Sequence, residues 1–195
     1  MTIAFVLGNG ISRRGLPLYN VRENGVIYGC NALFREYTPD VLVATDKPIA
    51  MHIEETGYAK TNKFYTRKPR EEFGALKLPE KYFAFSSGPA AVALAALEHY
   101  STIYLLGFDM GPTIDQKFNN LYAGTEFYKH EGAVPTYTGN WMRQVKQICE
   151  EFPNIHFIRV CGATTARLSE LDNINNLEHL PLERFIKRLN KEEDF

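Results

Sequence analysis

Short apolar runs recur along the chain, with helical patterns between them. Ile3–Leu7, Val26–Gly29, Val41–Thr45, Tyr82–Phe85, Ile103–Leu106 and Ile155–Val160 are rich in β-branched and aromatic residues and are expected to be strands. Most of them lack polar alternation, which predicts strands covered on both faces, as in a parallel sheet. After Ser87-Gly88-Pro89 the run AAVALAALEHY is apolar on every side, and a helix of that composition is expected to be buried. Gly139–Phe152 differs: Trp141, Val145, Ile148 and Phe152 recur at helical spacing, with Arg143, Lys146, Glu150 and Glu151 largely opposite, so one face should pack on the sheet. The C-terminal PLERFIKRLNKEEDF reads as an amphipathic helix with a fraying acidic end. Alternating strands and helices predict an α/β fold of Rossmann-like type, a mostly parallel sheet flanked by helices, with residues 1–195 forming a single nucleotide-binding domain.

Two regions break the rhythm. Residues 58–70, YAKTNKFYTRKPR, are basic and aromatic, and residues 110–138 lack periodicity, which predicts a long functional loop or lid. The first is read as a solvated surface strand and loop. A phosphate-rich or nucleic-acid acceptor is the sharper alternative, with the aromatics stacking on bases.

Composition narrows the class without choosing a function. The chain of 195 residues is 45% hydrophobic and 23% charged, with a net charge of −1, so any basic site must be local. The apolar start is too short for a signal peptide and no run reaches membrane-spanning length. Cys30, Cys149 and Cys161 are odd in number and lack C-x-x-C spacing, which argues against a disulfide framework or a zinc site and suits a reducing cytoplasm. A homo-oligomer is permitted but not demanded.

The candidate chemistry begins at Gly8-Asn9-Gly10, where the first strand ends. A dinucleotide fingerprint needs G-x-G-x-x-G and a later acidic residue for the ribose; here Arg13 takes the third glycine's place and Asn31 ends the second strand. Gly10 to Gly15 has P-loop spacing, but Leu16-Pro17 stands where Lys-Ser/Thr would bind phosphate. A tight turn needing glycine for its own backbone is the plain alternative. Other strand ends are polar too: Asn31, Asp46, Asp109 and the Ser87 segment should converge with Asn9 along one sheet edge, where ligands bind.

The segments LGNGIS, GCNALF, SSGPAAVALAAL and IYLLGFDM, in that order, resemble bacterial sialyltransferases that use CMP-sialic acid. They are also similar to related Rossmann-like families, among them motility accessory glycosyltransferases and an archaeal pterin pyrophosphokinase. The resemblance covers residues 3–160 and implies a cradle for the cytidine nucleotide made by Gly8, Asn9, Gly10, Ser12, Asn31, Ser87, Gly88, Gly107 and Asp109. It also implies phosphate-binding tyrosines in the long loop, for which Tyr122, Tyr128 and Tyr137 are the candidates by position. Tyr137 stands where the family's general base is a histidine, and His130 in the same loop is the candidate substitute. Asp46 and Asp109 are alternative bases.

The expected activity is therefore glycosyl transfer from a nucleotide-activated sugar to a glycan or phosphate-rich acceptor, with no metal or other cofactor, since no D-x-D occurs. Two alternatives stand beside it. One is pyrophosphoryl transfer on a nucleotide or pterin-like substrate, with Asp46 and Asp109 on magnesium. The other is a nucleotide-binding module that has lost its base.

Overall fold

The computed structural model describes residues 2–195. Thirteen helices and strands follow in the order β1 (Ile3–Leu7), α1 (Leu18–Arg22), β2 (Val26–Cys30), β3 (Val41–Val43), α2 (Lys47–Glu55), β4 (Phe64–Thr66), β5 (Leu76–Lys77), α3 (Ser87–Leu97), β6 (Thr102–Leu106), α4 (Gly139–Glu151), β7 (His156–Cys161), β8 (Leu177–Pro181) and α5 (Leu182–Leu189). All eight strands lie in one sheet of order β5-β4-β3-β2-β1-β6-β7-β8, and every pairing is parallel. The fold is α/β and Rossmann-like. From β1 the chain builds outward to β5, then returns to lay β6 on the other side of β1. That reversal opens a crevice at the carboxyl ends of β1 and β6.

Side chains alternate between two cores, as the two-residue period of a strand requires. Ala4 and Val6 of β1 face the core that holds α3 and α4, while Phe5 and Leu7 face the one that holds α1, α2 and α5. α3 is sealed against the sheet, with Ala90, Ala91, Ala93, Ala95 and Ala96 at 0% exposure, and small side chains let its backbone lie close. α4 buries Val145, Ile148 and Cys149 and keeps its charged residues outside. α5 buries Phe185, whose ring lies 5.6 Å from Tyr104, and Arg188 donates to the Tyr104 hydroxyl at 2.6 Å. The acidic C-terminus does not fray as expected. Phe195 folds back edge-on to Phe5 and Tyr104, each at 5.8 Å.

The sheet corrects several expectations. Tyr82–Phe85 is not a strand: a 3-10 turn at Glu80–Tyr82 runs into the start of α3. Tyr82 and Phe85 are buried against the α3 and α4 core, where the Tyr82 hydroxyl donates to Glu151 at 3.0 Å and Phe85 sits edge-on to the Tyr82 ring. Burial there comes from packing, not from sheet pairing. β4 replaces the solvated strand expected within residues 58–70, with Phe64 at 0% exposure. β5 and β8 were not anticipated; both are short or half-polar edge strands. The long segment 110–138 contains turns and no helix or strand, as its lack of period indicates. No helix among the described residues is long and apolar enough to cross a membrane.

The Phe185 contact yields a stability test. Phe185→Ala should lower the unfolding free energy by about 3–5 kcal/mol in urea denaturation. A loss below about 1 kcal/mol would show that α5 is not part of the cooperative core.

Candidate functional site

The two glycines around Asn9 answer first to packing. Gly8 N–H donates to the Leu106 carbonyl at 2.7 Å and Gly10 N–H to the Gly107 carbonyl at 2.9 Å, so the exit turns of β1 and β6 lie backbone against backbone. A Cβ on Gly8 would meet the Gly107 oxygen at 2.6 Å, and one on Gly10 would meet the Asp109 carboxyl carbon at 2.5 Å. Gly107 has a φ of +73°, which glycine adopts without strain.

Asp109 binds this turn to the rest of the site. It is 2% exposed, and burying a carboxylate there requires donors. Its oxygens accept from the Ser12 N–H (3.1 Å), the Ser12 hydroxyl, Asn119 Nδ2 (3.0 Å), Thr164 Oγ1 (2.7 Å) and Thr165 Oγ1 (3.2 Å). Such a carboxylate has no idle lone pair for a substrate proton or a magnesium ion. Expected as a catalytic group, Asp109 is an anchor.

Two buried arginines hold the turn from behind. Arg13, read in the sequence only as a departure from a glycine pattern, donates through Nε to the Gly8 carbonyl (2.6 Å) and through Nη2 to Asn9 Oδ1 (2.9 Å) and the Tyr122 hydroxyl (3.3 Å). Arg159 on β7 donates to the carbonyls of Phe108, Asp109 and Ala166 at 2.8–3.0 Å. Burial pulls the Arg159 pKa down from the usual arginine range.

Asn9, Asn31, Ser87 and Asp109 all line one cavity of about 150 Å³ at the strand ends, together with Gly8, Gly10, Asp46, Gly88 and Gly107. Three of the four have their side chains engaged internally. Asn9 Nδ2 donates to the Cys30 carbonyl at 3.1 Å. Ser87 Oγ accepts from Thr45 N–H at 2.9 Å and lies 3.0 Å from Thr45 Oγ1, tying α3 to the exit of β3. Asn31 differs: it is left-handed (φ +53°), and its Oδ1 is buried with no partner. An acceptor left unpaired beside a cavity is a polar group that the fold itself does not satisfy.

The loop residues separate. Tyr122 is buried behind the wall, its hydroxyl donating to Glu36 at 2.6 Å. Tyr128 accepts from Ala32 N–H at 3.3 Å and faces a neighbouring hollow. Burial pushes both phenols well above their usual range, so they stay neutral. His130 is exposed and its Nδ1 accepts from Gly132 N–H, and Tyr137 is 72% exposed; neither lines the cavity. Ser12 also lies off the wall, because its hydroxyl reaches Asp109.

Sequence reasoning missed Phe118, Asn119 and Trp141 as cavity residues, and it placed Thr45 only at a strand end and Arg67 only within the basic stretch; all five lie on the cavity wall. Arg67 follows β4, so recognising that strand would have placed a cation at a strand end. The other members of the basic stretch go elsewhere: Arg70 pairs with Glu54 and Glu55, and Lys60 and Lys68 are exposed. No family model matches the sequence, and comparison with curated proteins and with solved structures gives no match.

Asp109→Asn places an N–H₂ among donors and should cost about 3 kcal/mol or more of stability, read by chemical denaturation. An idle acid held for catalysis would behave oppositely, leaving the midpoint unchanged or raised.

Proposed function

We propose that the chain is a glycosyltransferase that holds a nucleotide-activated sugar of the CMP-sugar type in the strand-end cavity. The carrying observation is the division of that wall: Asn9, Ser87 and Asp109 are engaged in the scaffold, whereas Asn31, Asp46 and Arg67 keep groups free for a ligand. Asn31 offers an acceptor for an exocyclic amino or ribose hydroxyl group. Trp141 and Phe118 offer faces for a base, and Arg67 a cation for phosphate. A volume of about 150 Å³ lies below the roughly 300–1,000 Å³ of most ligand clefts. The donor's sugar would then lie out at the rim, beside Asp46.

Asp46 is exposed, and its carboxylate has no hydrogen bond or ion pair among the described residues. In the proposed step the acceptor oxygen bonds to the anomeric carbon as the bond from that carbon to phosphate oxygen breaks. Asp46 takes the acceptor's proton, and the departing nucleotide carries the electron pair, its charge facing Arg67. A binding module without turnover is the second reading, favoured by the placement of His130 and Tyr137 outside the cavity.

Calorimetric titration with CMP, UMP, GMP and their sugar conjugates tests the reading, and absence of binding at millimolar concentration sinks it. Asn31→Ala should weaken binding about fivefold, the worth of one neutral hydrogen bond. Asp46→Asn should lower turnover, including slow donor hydrolysis, by about 100-fold while changing binding less than twofold. His130→Ala should alter neither. Binding with no turnover for any acceptor would leave the module.

A further inference from the structure

Beside the cavity, at the start of α2, lies a second and more open hollow of about 440 Å³, and the two share Asn31, Asp46 and Arg67 on their common rim. Lys47, Phe127 and Tyr128 line the outer hollow and not the inner one. Its cations form no ion pair, with the Asp46 carboxylate on the same rim or with any other among the described residues. Lys47 has no hydrogen bond or ion pair among the described residues. Arg67, with five N–H donors to satisfy, places only one, on the Phe85 carbonyl at 3.1 Å, and its Nε is buried without a partner.

Phe127 supplies an independent sign. Its φ is +73°, a conformation that a bulky side chain adopts at a cost of about 1–3 kcal/mol and that gathers at ligand clamps. Phe127 is 41% exposed, and its ring lies 5.2 Å from the His52 ring. A strained backbone therefore holds an aromatic face open beside two unpaired cations.

We propose that the outer hollow is a binding site for a small phosphomonoester joined to a ring, with the phosphate on Lys47 and Arg67 and the ring on Phe127. An arginine fork suits phosphate oxygens, a lysine adds a point charge, and a ring stacks on the phenyl face. Calling this ligand the acceptor rests on the nucleotide-sugar reading of the inner cavity; the binding claim does not. With both ligands in place, Asp46 stands between them.

Phenyl phosphate is the probe, titrated calorimetrically into the wild-type chain and two variants. Lys47→Gln should weaken its binding about tenfold and Phe127→Asn about fivefold, asparagine being chosen because it tolerates the left-handed backbone. CMP affinity should change less than twofold in both. Phenol and inorganic phosphate should each bind at least tenfold more weakly than phenyl phosphate, and saturating CMP, whose phosphate shares Arg67, should weaken the probe by no more than about fivefold without displacing it. Equal affinity in wild type and variants, full displacement of the probe by CMP, or no binding up to the solubility limit would each overturn the proposal. Failure of CMP and the other nucleotides to bind would remove the inner-cavity reading alone, since the probe titration is read without them.

Discussion

A buried carboxylate with no cationic side chain hydrogen-bonded to it has to be surrounded by donors, and at Asp109 that requirement organises the whole strand-end region. The donors come from three parts of the chain: Ser12 after β1, Asn119 in the long loop, and Thr164 and Thr165 after β7. Asp109 itself follows β6, beside β1. One side chain thus fixes the geometry of the crevice that the strand order opens. The glycines follow from it, because the β1 turn can reach the carboxylate only by lying within backbone contact of Gly107, where no Cβ fits.

Charge is arranged around the same knot. Arg13 and Arg159 are buried behind the turn, and their guanidinium groups point at backbone carbonyls that would otherwise lie unpaired at the ends of β1 and β6. The contacts to the Gly8, Phe108 and Asp109 carbonyls also fix peptide planes on the cavity wall. Rigidity on that scale suits a site whose donors and acceptors must be held ready before the ligand arrives. The contrast with Arg67 is physical: its neighbours leave most of its fork empty.

Much of this fold was legible because burial on both faces of a parallel sheet leaves runs with few polar residues, as in β1, β2, β3 and β6, and β7 still registers around Phe157, Ile158 and Val160 despite Arg159. β4 and β5 are three and two residues long, too short for any period to register, and β8 carries Glu178 and His179 within its span. Tyr82–Phe85 was mistaken for a strand since aromatic enrichment reports burial, and here the partner is a helix pair rather than a ladder. At the site, strand-end asparagines, serine and aspartates were found from position alone. What position could not reveal was the division of roles. Whether Asp109 has free oxygens depends on Thr164 and Thr165, more than fifty residues away, and no local pattern carries that information.

For the proposed transfer, the open rim bears on chemistry as well as on binding. Group transfer to an acceptor other than water needs water kept away from the reacting carbon, and the inner cavity encloses too little space to do that for a whole sugar nucleotide. The reacting end would lie over Asn31, Asp46 and Arg67, where the walls belong to both hollows. Exclusion of water at that junction therefore falls to whatever occupies the outer hollow. A ligand seated on Phe127 and Lys47 would cover the exposed side of Asp46 and complete the enclosure that the strand ends begin. In such a site the acceptor is part of the catalytic surroundings, and donor cleavage without it is expected to be slow.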